Sequence, residues 1–545
     1  MIRRILLAIL LSLPLVTKAE IVKNPIVSGD WSDPGIIRVG EDYYSVRSTF
    51  GWQPGLQIMH SKDLVHWEYI GHAMKGSGNP ELAAGEVWGG VWGSDIIYNT
   101  NTQRFQVFAP IYDRLDDKKH KAIYVFTSKR PEGPYSSAVQ LLEMDIDPGV
   151  FIDRDGSLYM SSKKSVIYQL SRDGMKIERE VSRVKGANGK AFGEGAEIVY
   201  HNGYYYYTCS QGGTLPYEHH KILSYRAKSL EGPWEADPDN PKKYAPHTTK
   251  APIQGPGHGE LVQTQNGEWF LTYHAFELSY PTLARQMCIE PIKWDESGWW
   301  QSDAGVLPAT EFEAPNLPIS DIRLNQSDEF SDKDLGAMWF FHTTPDYSGK
   351  QWQLNPKQGD IELMNYIGER TMERTLERFV MQRMEGQEYT ITTKVDFTPS
   401  QDGECAGLLM YVNKENYIQY GLTKIKGVQM LQIRTKCGAF DRVKGYCRPI
   451  EGKYTTLKKL PVDQSELHLK IEVVDPETAR FYYSVDGREW LGFDDYELFF
   501  GRGGAPDLGW QFTYWTGGTI GIFIDSERSM TQDNSAKFDY FRVDR

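Results

Sequence analysis

The stretch GEGAEIVYHNGYYYYTCS, residues 193–210, decides the fold. Asn202-Gly203 is a dipeptide suited to a two-residue turn with positive φ, and it separates an apolar run from a run of aromatics, the signature of a β-hairpin. The same figure recurs as GEDYYSV from Gly40, TQRFQVFA from Thr102, DGSLYMSS from Asp155 and NGEWFLTYH from Asn266. With Gly40, Gln103, Gly156, Gly203 and Gly267 as markers, the spacings are 63, 53, 47 and 64 residues. Helical periodicity is almost absent from residues 21–300, so the repeat predicts five four-stranded units closed into a five-bladed β-propeller. SKRPEGPYSS from Ser128 and AKSLEGPWEA from Ala227 read as the same outer strand of two blades, with SKDLVHWEYIG from Ser61 a looser relative.

One ionisable residue stands upstream of each turn. Asp33 lies seven residues before its marker, Asp95 eight, and Asp147, Glu194 and His258 nine. Innermost strands of a propeller surround a central channel, so residues in register at the starts of five such strands converge at one mouth. A single Asp-Pro or Gly-Glu is an ordinary turn; five polar residues in register point to a site. Carboxylates held close push one another's pKa upward. A base carboxylate facing a protonated carboxyl is what glycoside hydrolysis requires.

Composition agrees with an all-β chain: 13% of the 545 residues are aromatic, which favours strands, and 51 glycines serve turns. Ring faces also stack on sugar rings. The net charge of −13 argues against nucleic acid and anionic membrane surfaces as partners. MIRRILLAILLSLPLVTKAE reads as a signal peptide over residues 1–19, with Arg3 and Arg4 before a short apolar run and cleavage after Ala19. An exported, periplasmic location without membrane insertion is therefore expected, since no later run is apolar enough to span a bilayer. Five cysteines are too few for a disulfide scaffold; Cys437 and Cys447 flank a short loop and are the candidate pair. No spacing suggests zinc.

The segments SDPGIIRVGEDYY, GVWGSDIIY, DIDPGVFIDRDG, GEGAEIVYHNGYYY, GPGHGELV and ARQMCIEPIKWDESGW together resemble glycoside hydrolase family 43, from about Asn24 to Leu317. The resemblance implies Asp33 as general base, Glu194 as general acid and Asp147 as the residue that orients the acid and tunes its pKa. Where members usually read Glu-Gly-Pro, this chain has Glu194-Gly195-Ala196; Glu197 is the competing acid, and the nine-residue register prefers Glu194. It implies sugar contacts by Trp92, Arg285, Asp95 and the aromatics Phe50 and Trp52, and a channel role for His258 beside a water-coordinated metal ion. In the motif around Trp92, Gly93-Ser94 replaces the usual Ala-Pro. No cofactor is needed for the chemistry.

From Pro315 the texture changes. PNLPISDIRLNQ reads as a linker, dividing a propeller over residues 20–317 from a strand-rich segment over 325–545. The latter resembles the concanavalin-like β-sandwich, or jelly roll, that follows the propeller in many relatives, with SVDGREW from Ser484 as its hairpin. A structural Ca²⁺ at Asp328, Glu329 and Asp539 is expected as an alternative to ordinary surface carboxylates. The resemblance implies an inverting exo-glycosidase that releases terminal α-L-arabinofuranosyl residues from xylan, arabinan or xyloglucan side chains. A β-D-xylosidase, or dual activity on xylo-oligosaccharides, is the alternative. A non-catalytic glycan-binding propeller is the reading from another class, disfavoured because all three carboxylates are present.

Overall fold

The computed structural model describes residues 20–545 apart from 77, 81, 83–88, 116–117, 186–192, 279, 343–347, 369–377, 438–439, 444–445, 450–452, 476–477 and 498–514. The first 19 residues, with the expected signal peptide, lie outside the described residues.

Five antiparallel sheets follow one another along the chain. Their inner two strands are Gly35–Val39 and Asp42–Val46 in blade 1, Asp95–Asn99 and Arg104–Leu115 in blade 2, Gly149–Ile152 and Leu158–Ser161 in blade 3, Glu194–His201 and Tyr204–Gln211 in blade 4, and Ile253–Gln263 and Trp269–Glu277 in blade 5. The aromatic-strand markers thus sit at the first hairpin of every blade. Innermost strands of neighbouring blades touch in a ring that includes the first and the fifth, so the sheets close into a five-bladed propeller. The two EGP echoes occupy equivalent places, between the third and fourth strands of blades 2 and 4. The two ends of the propeller segment meet beside the ring: Ile21–Lys23 pairs antiparallel with Glu311–Glu313 in a separate two-stranded sheet. Beside it the Asn24 amide donates to the Ile289 and Ala309 carbonyls and accepts from the Ile289 N–H.

The second half is a sandwich of two antiparallel sheets, of seven and six strands. Alternation in strands such as Tyr389–Asp396 aims Ile391 and Val395 into a fully buried core with Leu408, Ile433, Leu469 and Phe538. The segment expected as a linker is docked: the Ser320 N–H donates to Asp63, and the Gln326 amide donates to the Arg383 carbonyl. Arg383, fully buried, reaches from the sandwich to the Asp30 carbonyl at 2.6 Å and lies over the rings of Trp31 and Tyr69. Such a charge is tolerable only because Glu385 pairs with it at 2.6 Å.

Two expectations change here. Asp328, Glu329 and Asp539 do not converge on an ion. Asp328 accepts from the Trp339 indole and the Phe330 N–H, Glu329 is bidentate to Arg542, and Asp539 pairs with Lys394. Each carboxylate has a protein partner, and the Ca²⁺ expectation is dropped. Cys209, Cys288 and Cys405 are buried free thiols, and the side chains of Cys437 and Cys447 lie outside the described residues. Among the described residues no helix is long and apolar enough to cross a membrane.

Candidate active site

The inner strands of the five blades present two layers of residues at the mouth of the channel. Gly35, Asp95, Gly149, Glu197 and Glu260 are the equivalent paired positions, opposite Val46, Phe108, Ser161, Thr208 and Thr272. Two residues upstream of these stand Asp33, Gly93, Asp147, Gly195 and His258. Asp33, Asp147, Gly195 and His258 share a left-handed backbone, with φ between 49° and 54°. For Asp33, Asp147 and His258 that conformation carries strain, which folds retain chiefly at functional sites. Gly195 has a further reason to be glycine: a Cβ there would lie 2.6 Å from His258 Nδ1.

This corrects the register read from the sequence. Asp33, Asp147 and His258 do share a layer, but Asp95 belongs one layer deeper and does not reach the pocket. Its two oxygens accept from the Ile96 and Val150 N–H groups, each at 2.6 Å. Glu194 reaches the pocket by a different device. Four residues of its strand, Glu194 to Glu197, stand against three of the partner strand, Ser210 to Thr208, and this bulge turns the Glu194 side chain outward. Glu197, the competing acid, is buried in the deeper layer, so of the two candidates Glu194 is the one that lines the pocket, although not because of the spacing.

The pocket has a volume of about 500 Å³ and is lined by Asp33, Asp147, Glu194, Phe50, Trp92, Arg285, Lys121, Lys163, Thr214, Glu218 and Trp515, among others. Asp33 is clamped at its floor: Oδ1 accepts from Arg285 Nη1 at 2.7 Å with His274 Nδ1 at 3.0 Å, and Oδ2 accepts from Ser48 Oγ at 2.5 Å. Burial alone would raise this carboxyl, but the Arg285 charge, helped by His274 and His258, holds it well below the ordinary carboxylate range. Asp147 goes the other way. Burial, then repulsion from Glu194 and Asp33, pushes it well above the ordinary range. Glu194 is more exposed, and its Oε2 lies 2.9 Å from Lys163 Nζ.

Trp92 stacks on Tyr112 at 5.7 Å, with the Lys121 ammonium 5.5 Å from its ring, and meets Trp515 edge-on at 5.9 Å. Phe50 lies under the Arg285 guanidinium, 6.4 Å from the Trp515 ring. Trp52 does not line the pocket. It points the opposite way, packed on Phe340, His342 and Tyr411 of the sandwich. The chain turns at Phe50-Gly51, and backbone pairing of Gln53 with Phe341 commits Trp52 to the sandwich. His258 lies beneath the pocket with Nδ1 3.6 Å from Asp33 Oδ1.

The ion expected beside His258 finds no ligand set there. Among the described residues, the group with ligand atoms close enough to share a cation is Asp95, Glu197 and Glu260, all within 4.8 Å. Burial raises all three carboxyls, Asp95 to about 7, so protons relieve their repulsion, and no metal is assigned to them. Sequence reading missed Ser48, His274, Lys121, Lys163 and Trp515. His274 was visible at the end of NGEWFLTYH, on the strand paired with the His258 bulge. Trp515 arrives from the sandwich, and nothing local marks it.

Two family models match this chain: glycosyl hydrolases family 43 over residues 22–300, and the beta xylosidase C-terminal concanavalin A-like domain over 327–544. The chain is 29% identical to the non-reducing end alpha-L-arabinofuranosidase BoGH43B of Bacteroides ovatus, across 95% of this chain and 94% of that one. It is 27% identical to a xylan 1,3-beta-xylosidase of a Vibrio species, across 95% and 98%. The crystal structure of the GH43 BlXynB protein from Bacillus licheniformis superposes with a TM-score of 0.82 and 32% identity, covering 96% of this chain and 99% of that one. Propeller, sandwich and matches agree, and the chain belongs to glycosyl hydrolase family 43, a family of glycoside-cleaving enzymes.

Proposed function

We propose that the chain removes single terminal α-L-arabinofuranosyl residues from the non-reducing ends of plant cell-wall glycans, with inversion at the anomeric carbon. The observation that carries this reading is the split between two carboxyls of one pocket: Asp33 kept ionised by Arg285, Asp147 kept protonated beside Glu194. Asp33 takes a proton from a water whose oxygen bonds to the anomeric carbon. The bond to the leaving oxygen breaks, its electron pair stays on that oxygen, and Glu194 supplies the proton. Asp147 orients Glu194 and keeps the acid side protonated near neutral pH. Inversion requires the base and acid carboxyls to stand about 6.5–9.5 Å apart, leaving room for the water. Phe50, Trp92 and Trp515 offer ring faces to the sugar, Arg285 offers donors, and the meeting of Trp92 with Trp515 favours a pocket for one terminal unit. Residues 1–19 support export to the periplasm.

The arabinofuranosidase among the relatives supports the first reading, and the xylosidases support a second, in which β-D-xylosyl units are removed instead or as well. Side-by-side kinetics on 4-nitrophenyl α-L-arabinofuranoside and β-D-xylopyranoside decide between them; a kcat/KM tenfold higher on the xyloside replaces the first reading by the second. Proton NMR of the first product formed is expected to show the inverted anomer. A retained anomer overturns the mechanism.

A further inference from the structure

Glu194, the residue proposed to deliver a proton, rests in an ion pair with Lys163. A lysine ammonium favours the ionised carboxylate, which is the wrong state for an acid. Among the described residues, the other titratable groups around Glu194 are Asp147 from the start of blade 3, Asp33 from blade 1, His258 from blade 5, Lys121 from blade 2 and Glu218 from blade 4, with Arg285 committed to Asp33. Among the described residues, Lys163 is the cation paired with Glu194.

The two ion pairs of the pocket are built differently. Arg285 is 4% and Asp33 12% exposed, whereas Lys163 is 51% and Glu194 26% exposed, at the rim. An exposed lysine pair is weak, and its long stem carries three rotatable donors that trade partners readily. The leaving portion of a glycan bound by its terminal sugar must lie on this rim, since the floor is closed by Asp33 and its clamp.

We propose that Lys163 is a positioning residue for the acid: in the free enzyme it holds the Glu194 carboxylate, and it lets go only when the leaving sugar occupies the rim and takes the lysine's hydrogen bonds for its hydroxyls. This rests on Glu194 being the acid. Repulsion from Glu194 is among the causes that push Asp147 upward, so a proton on either carboxyl relieves the other. With Lys163 on Glu194 the proton resides on Asp147; with Lys163 on the leaving sugar it passes to Glu194. Glu194 then protonates the departing oxygen, while Asp33 receives the proton of the attacking water. The acid is thereby armed by a correctly placed leaving group.

The test is the pH dependence of both kinetic constants on an arabino-oligosaccharide, for wild type, Lys163→Met and Lys163→Arg. In wild type the alkaline limb of kcat/KM, which reports the free enzyme, is expected below that of kcat, which reports the complex. Lys163→Met should raise the kcat/KM limb by about half to one pH unit, closing the gap, and raise KM several-fold. Lys163→Arg should keep the gap. A kcat/KM limb left at its wild-type position in Lys163→Met overturns the proposal. Glu194→Gln, compared on oligosaccharides and 4-nitrophenyl glycosides, checks the premise separately. A larger loss on oligosaccharides upholds Glu194 as acid. Equal losses remove the acid assignment and this proposal with it.

Discussion

The two sides of the pocket hold their carboxylates by opposite means. On the blade 1 and blade 5 side, Asp33 is fixed by a buried arginine, an imidazole and a hydroxyl, on a strained backbone position. On the blade 3 and blade 4 side, Glu194 is thrown outward by a bulge and touched by one half-exposed lysine. A base must be ionised before substrate arrives and stay so, and a rigid clamp does that. An acid must be protonated before the leaving oxygen departs and ionised afterwards, so its surroundings have to permit both states. Burial separates the two functions: it strengthens the Arg285–Asp33 attraction, and on the other side it keeps Asp147 neutral beside Glu194.

The largest expected effect breaks the rigid side. Asp33→Asn keeps the shape of the group but leaves no base, and kcat on any substrate should fall by about 10²–10⁴-fold. Circular dichroism and the unfolding midpoint should match wild type, because the amide still accepts from Arg285. Near-normal kcat in a folded variant would remove the base assignment. The next effect is on the permissive side. Asp147→Asn takes away the second carboxyl, whose repulsion helps hold a proton on the acid side, so that side ionises earlier. The alkaline limb of kcat should move down by about one pH unit, with the acidic limb unchanged. A shift of the acidic limb instead would mean that Asp147 serves Asp33.

How far this contrast was legible in the sequence depends on the kind of physics involved. The blades were readable because Asn202-Gly203, Asp155-Gly156 and Asn266-Gly267 are local turn chemistry repeated at blade spacing. Asp33, Asp147 and Glu194 were readable as residues but not as a register. Spacing counts residues along one strand, whereas layer depth depends on pairing with the next strand, and the bulge at Glu194 is visible only in that pairing. The count therefore placed Asp95 at the mouth, when its Oδ2 ties blade 2 to blade 3 one layer down. Phe50 and Trp52 are two residues apart in a loop, yet they serve the pocket and the sandwich respectively. Trp515 is more than 200 residues from every other pocket residue. Such placements are set by the docking of the sandwich on the propeller, for which neither half carries a local signal.

A smaller effect is expected from the hydroxyl of the clamp. Ser48 Oγ donates to Asp33 Oδ2, the oxygen that Arg285 does not take. Ser48→Ala removes a bond to the ionised form, so the pKa of Asp33 should rise and the acidic limb of kcat/KM should move to higher pH. Arg285 and His274 remain on Oδ1, and Arg285 is the foremost influence lowering this carboxyl. The shift should therefore stay within about half a pH unit, and kcat at neutral pH should fall by no more than about tenfold. The alkaline limb should not move, since Ser48 has no bond to Asp147 or Glu194. A loss approaching that of Asp33→Asn would mean that the hydroxyl, and not the guanidinium, aims the base at its water, and the clamp would have to be redrawn around Oδ2.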